Sequence, residues 1–565
     1  MATADEDQQF YLDTERTAFP FLDHHQLALL RPLGRHRMIA AGEVAFSAGE
    51  RDFPLIVVLS GELEVYESLD GREQILGTLS SGHFAGDVSM LNGTAAIASI
   101  RGKAKQSEIL EVPTVKFRKA LADLPGVAKP IVQAFMMRRQ RLGRDRQFTG
   151  LRILANPGCQ SAHRINDFLD KNHIPHRLID STTDECRMLC HRLGLGGEDL
   201  PVLIAGDGSI SRQPGILEIA RAAGLLRPLS TEGNEELFCD LAIVGAGPAG
   251  LAAAVNAASE GLTTVVLESF APGGQAGSSS LIENFFGFPT GISGGDLTFR
   301  AHLQAYRFGA QFSTPSRVLS LAFPKGEYGT ALQIEGSDTV LRSKCVIIAS
   351  GARYNKIDAE GLERFEGLGV FYAATLMEAK LCRDRTVFVV GAGNSAGQAA
   401  MFLSEFVTKV FMVIRGDDLK KSMSSYLSNR IEVKDNIEIL RCTEIRKMSG
   451  ASRLESVEIE NTLTGRRRMV EVAAVFSMIG ANPCTDWLPP EIATDEKGFI
   501  KTGSAVVNSS VWEEANRAPY PFETSRPGIF AAGDVRSGSV KRCGAAVGEG
   551  SMAIKNVHQV LGTYS

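Results

Sequence analysis

The residues of this chain whose types and spacing can do chemistry are first of all glycines. Residues 240–250 read Asp-Leu-Ala-Ile-Val-Gly-Ala-Gly-Pro-Ala-Gly, an apolar run ending in Gly245, Gly247 and Gly250. An Ala-rich helical pattern follows over 251–261, and a second apolar run, 263–267, ends at Glu268. A strand, a glycine turn, a helix, a strand and an acid make a cradle for a diphosphate. Gly245 permits the turn, Gly247 lets backbone approach the pyrophosphate, and Gly250 lets helix pack on strand. Pro248 and Ala249 open the helix whose N-terminus faces the phosphates, and Glu268 can accept from a ribose hydroxyl. The pattern recurs at 386–397, with Gly391, Gly393, Asn394, Ser395 and Ala396 in the turn. Its second strand, 409–414, ends at Arg415 instead of an acid. Arg and Lys there favour a 2′-phosphate, so Arg415, Lys420 and Lys421 point to NADPH, while Asp417 and Asp418 argue the other way. One turn paired to an acid and one paired to a cation imply two dinucleotides, FAD and NADPH, and hydride transfer to a flavin.

These turns need domains to hold them. A chain of 565 residues is too long for one core and suggests roughly three to five domains. Its net charge of -5 gives no nucleic-acid signal, and the basic run 138–146 reads as a solvated helix end or linker. No apolar run is long enough to span a bilayer, and the first seven residues are acidic, so the expectation is a cytoplasmic protein without a membrane segment. Nine cysteines, an odd number with no Cys-x-x-Cys, argue for reduced thiols over a disulfide framework.

Residues 38–115 alternate short apolar runs with glycine turns, a β-roll, and turn helical from Pro113. The runs 41–46, 59–65 and 84–91 resemble, in order, the cyclic-nucleotide-binding domain family, here spanning residues 1–149. The resemblance implies a cassette in which a Glu binds a ribose hydroxyl and an Arg binds the cyclic phosphate. Asp87 stands at the Glu position and Ala96 at about the Arg position, with no Arg before Arg101. A phosphate without its bidentate cation is poorly compensated. The expectation is therefore a retained roll used for contacts or for a different small ligand.

Residues 150–230 read β-α-β-α-β, with Pro201 opening the third strand, and resemble a glutaredoxin or thioredoxin-like fold. That resemblance implies a cis Pro201 beside an active thiol. Cys159 occupies the first cysteine position of the motif and Ala162 the second. A thiol at a helix N-terminus has a lowered pKa and can attack a disulfide, so Cys159 is the candidate catalytic residue of a monothiol site. The alternative is a docking domain with an incidental Cys. Cys186 and Cys190, one helical turn apart without His or acid companions, read as packing.

Residues 237–565 carry the two glycine turns together with Gly274 and Gln275, Asn284, a strand ending at Gly351, and an apolar strand closed by Gly533 and Asp534. In this order they resemble the low-molecular-weight thioredoxin reductase family. The resemblance implies a homodimer and two nested Rossmann-like domains. A FAD domain is split into a leading segment, 237–355, and a closing segment, 479–565, and an NAD(P)H domain, 356–478, is inserted between them. The resemblance also implies flavin contacts from Gln275, Asn284, Val318, Asp534, Lys541, Arg542 and Cys543. One departure stands out. The family's redox Cys-x-x-Cys falls at Ala373 and Leu376 here, so the route from flavin through an internal dithiol is closed. The expectation is a multidomain α/β flavoprotein oxidoreductase with an unidentified acceptor. The alternatives are a flavin-bearing sensor or scaffold and a cyclic-nucleotide-regulated reductase.

Overall fold

The structure is a computed structural model. It describes residues 4–69, 72–144, 150–205, 208–226, 236–279, 282, 285–326, 328–337, 339–365, 368–372, 374, 376–508 and 510–562. The chain divides into two compact units, residues 1–231 with 303–316, and 232–302 with 317–565.

The first unit begins with a roll of two four-stranded antiparallel sheets. One has the order Arg35–Ala40, Gln106–Val112, Leu55–Ser60, Phe84–Ala85, and the other Val44–Phe46, Ser99–Gly102, Glu62–Leu69, Arg72–Ser80. Leu55, Ile56, Val57 and Val58 have no solvent exposure, which is why this run forms the inner strand. A long helix, α1 (Pro125–Arg144), closes the roll with Ile131, Ala134 and Phe135 inward. The basic run expected to be solvated is, at its start, enclosed instead. The Arg138 guanidinium lies over the Phe84 ring at 4.6 Å and the Phe19 ring at 5.2 Å. It donates to the carbonyls of Ala18 and Gly86, and its enclosure pulls its pKa down to about 10. Arg139 is 6% exposed. Aromatic faces and carbonyl oxygens replace the water that a guanidinium gives up.

Residues 150–226 form a four-stranded sheet from β1 (Leu151–Ala155), β2 (His176–Asp180), β3 (Val202–Ile204) and β4 (Ile210–Arg212), in the order β2-β1-β3-β4. β1 and β2 are parallel, and β3 is antiparallel to β1 and β4. The helices are α2 (Gln160–Lys171), α3 (Asp184–Leu193) and α4 (Ile216–Ala222). α2 buries Ala162, Ile165, Phe168 and Leu169, the one-sided stripe that its periodicity predicts. The Leu200–Pro201 peptide is cis.

The second unit is built on two sheets. The first runs β6 (Thr264–Leu267), β5 (Glu236–Val244), β9 (Val340–Ile348), β8 (Thr330–Ile334), β7 (Val318–Ala322), with β17 (Ile529–Ala531) beside the C-terminal half of β9. β6, β5, β9 and β17 are parallel, while β8 runs antiparallel to both β9 and β7. β5 and β9 are both fully buried over their last four residues, as strands covered on both faces must be. The second sheet has the order β11 (Val370–Phe371), β15 (Ala474–Ser477), β12 (Thr386–Val390), β13 (Lys409–Val413), β14 (Ile437–Leu440), all parallel. A ribbon of β10 (Ala352–Tyr354) and β16 (Ala481–Pro483) joins the two crossings between them.

Helices α5 (Pro248–Ser259) and α7 (Cys543–Leu561) lie against each other. Gly550 meets the Ala249 backbone, His558 pairs with Glu260 at 2.9 Å, and Asn256 donates to Ser551 at 3.1 Å. A Cβ at Gly550 would fall inside contact distance of the Ala249 carbonyl oxygen. Gly550→Ala is therefore expected to cost about 1–3 kcal/mol through forced separation of the two helices, measured as a lowered urea midpoint by circular dichroism.

Candidate functional site

The first glycine turn sits where β5 passes into α5. Gly245 has φ +104, in the left-handed region that favours glycine, and a Cβ there would collide with the Ala349 backbone at the end of β9. Gly247 caps α5 in an extended conformation without a side chain, and Pro248 takes the first helical position. Gly250 packs on the Gly245 carbonyl with no room for a Cβ. The first N–H groups of α5 have no partner within the helix and face the turn.

Three more segments arrive at this turn. Gly273 donates its N–H to the Ala246 carbonyl at 2.7 Å, and a Cβ on Gly274 would stand 3.0 Å from the Gly247 Cα. The Gln275 amide donates to the Ala352 carbonyl, on the ribbon after Gly351 (φ +70). Gly533 (φ +78) follows β17, and a Cβ there would lie 2.9 Å from the Ala249 Cβ. The structure thus brings Gly245, Gly247, Gly250, Gly274 and Gly533 to one place, a cradle lined by backbone because side chains would fill it. Its donor-rich helix end and bare backbone suit a dinucleotide diphosphate.

Glu268, 8% exposed, reaches back from the end of β6. Its Oε2 accepts from Ala246 N–H at 2.8 Å and its Oε1 from Phe270 N–H at 2.9 Å. Burial pushes its pKa up, against the pull of these hydrogen bonds. The acid read only as a ribose acceptor also ties the turn to the neighbouring strand. Ser269 Oγ also donates to Oε1, at 3.3 Å, so of a carboxylate's roughly four lone-pair sites about one is left for a hydroxyl.

Asp534 is partly buried, and desolvation raises its pKa against the opposing charge of Lys541, whose Nζ donates to the Asp534 carbonyl. Arg542 caps α7 with extended backbone and Cys543 is its first residue; burial pushes that thiol up to about 11. Val318 begins β7 and is buried. Asn284 and Ala373 lie outside the described residues. Leu376 begins a short helix and is 48% exposed.

Sequence reasoning missed Glu549. Its Oε2 accepts from Gly533 N–H at 2.7 Å and from Arg536 Nε at 3.1 Å, and its Oε1 accepts from Arg536 Nη2 at 2.5 Å. This carboxylate on α7 pins the Gly533–Asp534 turn. The available signal was an acid between Gly548 and Gly550, the one charged residue in the first half of that helix.

At the second turn, Gly391 (φ +138) packs on the Met478 carbonyl, and Gly393 caps α6 (Asn394–Leu403). The Asn394 side chain accepts from Ser424 N–H at 2.8 Å, Ser395 is exposed and Ala396 is buried. Arg415 is exposed and its side chain has no partner among the described residues. Asp417 pairs with Lys421 at 2.7 Å, and Asp418 caps the short helix that follows, accepting from Lys420 N–H at 3.0 Å. Lys420 Nζ stands 3.7 Å from Glu432. Both acids that argued against a phosphate are thus engaged locally.

In the first unit, Cys159 is the N-cap residue of α2 and partly exposed, its N–H bonded to the Asn156 carbonyl at 3.1 Å. Cys186 and Cys190 have their sulfurs 3.9 Å apart, packed with Leu154, Ile179, Leu189 and Val202. Burial pushes the Cys186 thiol up to about 11.

Residues 239–550 match the family described as pyridine nucleotide-disulphide oxidoreductase, and residues 36–123 match the cyclic nucleotide-binding domain. Thioredoxin reductase of Chlamydia trachomatis serovar D is 34% identical over 329 residues, 57% of this chain and 98% of that protein. Thioredoxin reductase of Bacillus subtilis is 31% identical over 331 residues, 58% and 96%. Among solved structures, Lactococcus lactis thioredoxin reductase in its FR conformation superposes with a TM-score of 0.51 at 27% identity, covering 57% of this chain and 99% of that one.

Replacing Glu549 with Gln removes the charge that grips Gly533 and Arg536. The purified variant is expected to bind FAD roughly 10- to 100-fold more weakly than wild type, from the loss of a charge-assisted bond of about 1.5–3 kcal/mol. Flavin absorbance per protein gives the occupancy, and a thermal melt of the flavin-free form checks that the fold is kept.

Proposed function

The chain belongs to the pyridine nucleotide-disulphide oxidoreductase family, and on that premise we propose that it is a thioredoxin-reductase-like flavoenzyme that takes electrons from NADPH and delivers them to an acceptor without an internal Cys-x-x-Cys. FAD and NADPH are the cofactors of its class. The observation that carries the reading is the pairing of one glycine turn with buried Glu268 and the other with exposed Arg415.

FAD, when bound, supplies the two-electron carrier that accepts hydride from a nicotinamide. The chain's own residues bind and orient. Gly245, Gly247 and Gly250 leave backbone N–H groups for the pyrophosphate, with Glu268 beside them for a ribose. Glu549 fixes the turn that presents Asp534. Gly391 and Gly393 serve the nicotinamide nucleotide, and Arg415, with Lys420 nearby, selects its 2′-phosphate. With Ala373 and Leu376 in place of cysteines, an acceptor must meet the flavin directly or through residues 150–230. We assign those residues a thioredoxin-like fold, supported by the strand order β2-β1-β3-β4 and by Cys159 capping α2. Cys159 is then the one thiol at that fold's reactive position, and its chemistry is monothiol. A cytoplasmic homodimer completes the proposal.

Anaerobic mixing with NADPH is expected to bleach the flavin rapidly, and no bleaching over minutes overturns the enzyme reading. Arg415→Ala is expected to raise KM for NADPH roughly 10- to 100-fold, the worth of a charge-assisted phosphate contact, with KM for NADH unchanged. An NADPH-driven screen of quinones, ferredoxin, thioredoxin and small disulfides identifies the acceptor. Cys159→Ser is expected to abolish disulfide reduction while leaving quinone reduction intact, and unchanged disulfide turnover discards Cys159.

A further inference from the structure

The acid of the cyclic-nucleotide cassette already has a cation. Asp87 stands where the fold's ribose acceptor stands, and its Oδ2 accepts from Arg139 Nη2 at 3.0 Å. The same Arg139 nitrogen donates to Ser89 Oγ at 3.1 Å, while Asp87 Oδ1 takes Ser89 N–H at 2.8 Å. Both side chains of the ion pair are largely buried, Arg139 6% and Asp87 13% exposed. Arg139 comes from α1, not from the cassette, and its neighbours on the helix press on the same loop. Arg138 donates to the Gly86 carbonyl at 3.0 Å. A Cβ at Gly86 would stand 2.9 Å from the Phe135 ring.

Residues 150–226 meet this loop at one end and its partner Arg139 at the other. Arg139 Nη1 donates to the His173 carbonyl, just past α2, at 3.4 Å. At the other end Gly224 packs on Ala95, next to the position of the missing arginine; a Cβ on Gly224 would stand 2.7 Å from the Ala95 Cβ. Arg51 donates to the carbonyls of Gly224 and Leu226, at 3.0 and 2.8 Å, beyond the C-terminus of α4. Arg51 thus ties the chain segment that follows α4 to the roll.

We propose that Arg139 occupies the ligand position of residues 36–123 from within the chain, and that this module clamps residues 150–226 instead of receiving a cyclic nucleotide. Asp87 has spent its charge on Arg139, and Ala96 offers no cation to a phosphate. An incoming nucleotide would have to break a buried pair and find nothing to hold its anion. The proposal goes beyond the reductase reading, and its test involves neither flavin nor NADPH.

Calorimetry of the full chain with cAMP and with cGMP at millimolar concentration is expected to give no heat of binding. Hydrogen exchange reads the clamp, because the amides of Asn172, His173 and Ile174 are hydrogen-bonded at the end of α2. In Arg139→Gln, these amides and those of 84–91 are expected to exchange together at least about tenfold faster, the loss of a bond to a charged group. Arg101→Gln, which breaks pairs with Glu64 and Glu73 on the same roll, is expected to leave them unchanged. Asp87→Asn is expected to reproduce the Arg139→Gln pattern and carries the test if Arg139→Gln does not fold. Heat of cyclic-nucleotide binding to wild type that is lost in Asp87→Asn overturns the proposal. So does unchanged exchange at 172–174 in the folded variants.

Discussion

The second unit depends on backbone lying against backbone where no Cβ intervenes. Gly245 rests on the end of β9, Gly250 on Gly245, and Gly550 on the first turn of α5. These contacts set the height of α5 above the sheet and so the place where its unpaired N–H groups point. Interiors packed to crystalline density transmit a displacement instead of absorbing it. An added methyl group at any of these three points moves the helix end that the nucleotide would meet, and with it the turn carrying Asp534.

Much of this was legible in the sequence because the glycines came with their context: an apolar run before, a helical pattern after, an acid or a cation at the end of the next strand. Arg415 likewise stands where the pattern places it. The succession strand, helix, strand, helix, strand over residues 151–204 follows from apolar runs and helical stripes whose periods differ, whereas the fourth strand, Ile210–Arg212, and the order of strands in the sheet carry no such signal. What stayed hidden was polar chemistry inside the fold. Arg138 and Arg139 lie in a run of cations, and such runs read as surface because charged residues are almost never buried unpaired. Their partners are carbonyls, rings and an acid far away in the chain, and no local window contains them. Glu549 escaped notice for the same reason, since its partners Gly533 and Arg536 lie one element upstream. Asn284 and Ala373 fall outside the described residues, so their roles rest on sequence alone.

Two carboxylate–guanidinium pairs, the buried Asp87–Arg139 and the half-buried Glu549–Arg536, do similar physical work in different units. Desolvating two ions often cancels their attraction, so neither pair is a strong source of stability. Each is directional, however. A carboxylate gripped by a guanidinium and a backbone N–H has one arrangement, and for the buried Asp87–Arg139 pair loss of one partner leaves an uncompensated charge at a cost of about 3–5 kcal/mol. Pairs of this kind select which helix lies over which loop. In one unit that choice fixes the Gly533–Asp534 turn, and in the other it fixes what lies over a nucleotide cassette.

Strand β17 is drawn from residues 529–531, yet it lies beside β9, which ends at residue 348. A complete parallel sheet intervenes between the two in sequence. During synthesis the inserted sheet can assemble while the sheet that surrounds it in sequence still lacks a strand and the helix that covers α5. Pairings so distant in sequence are slow to form. The dinucleotide cradle that begins at Gly245 is therefore among the last regions of the molecule to exist, completed only when β17 and α7 arrive.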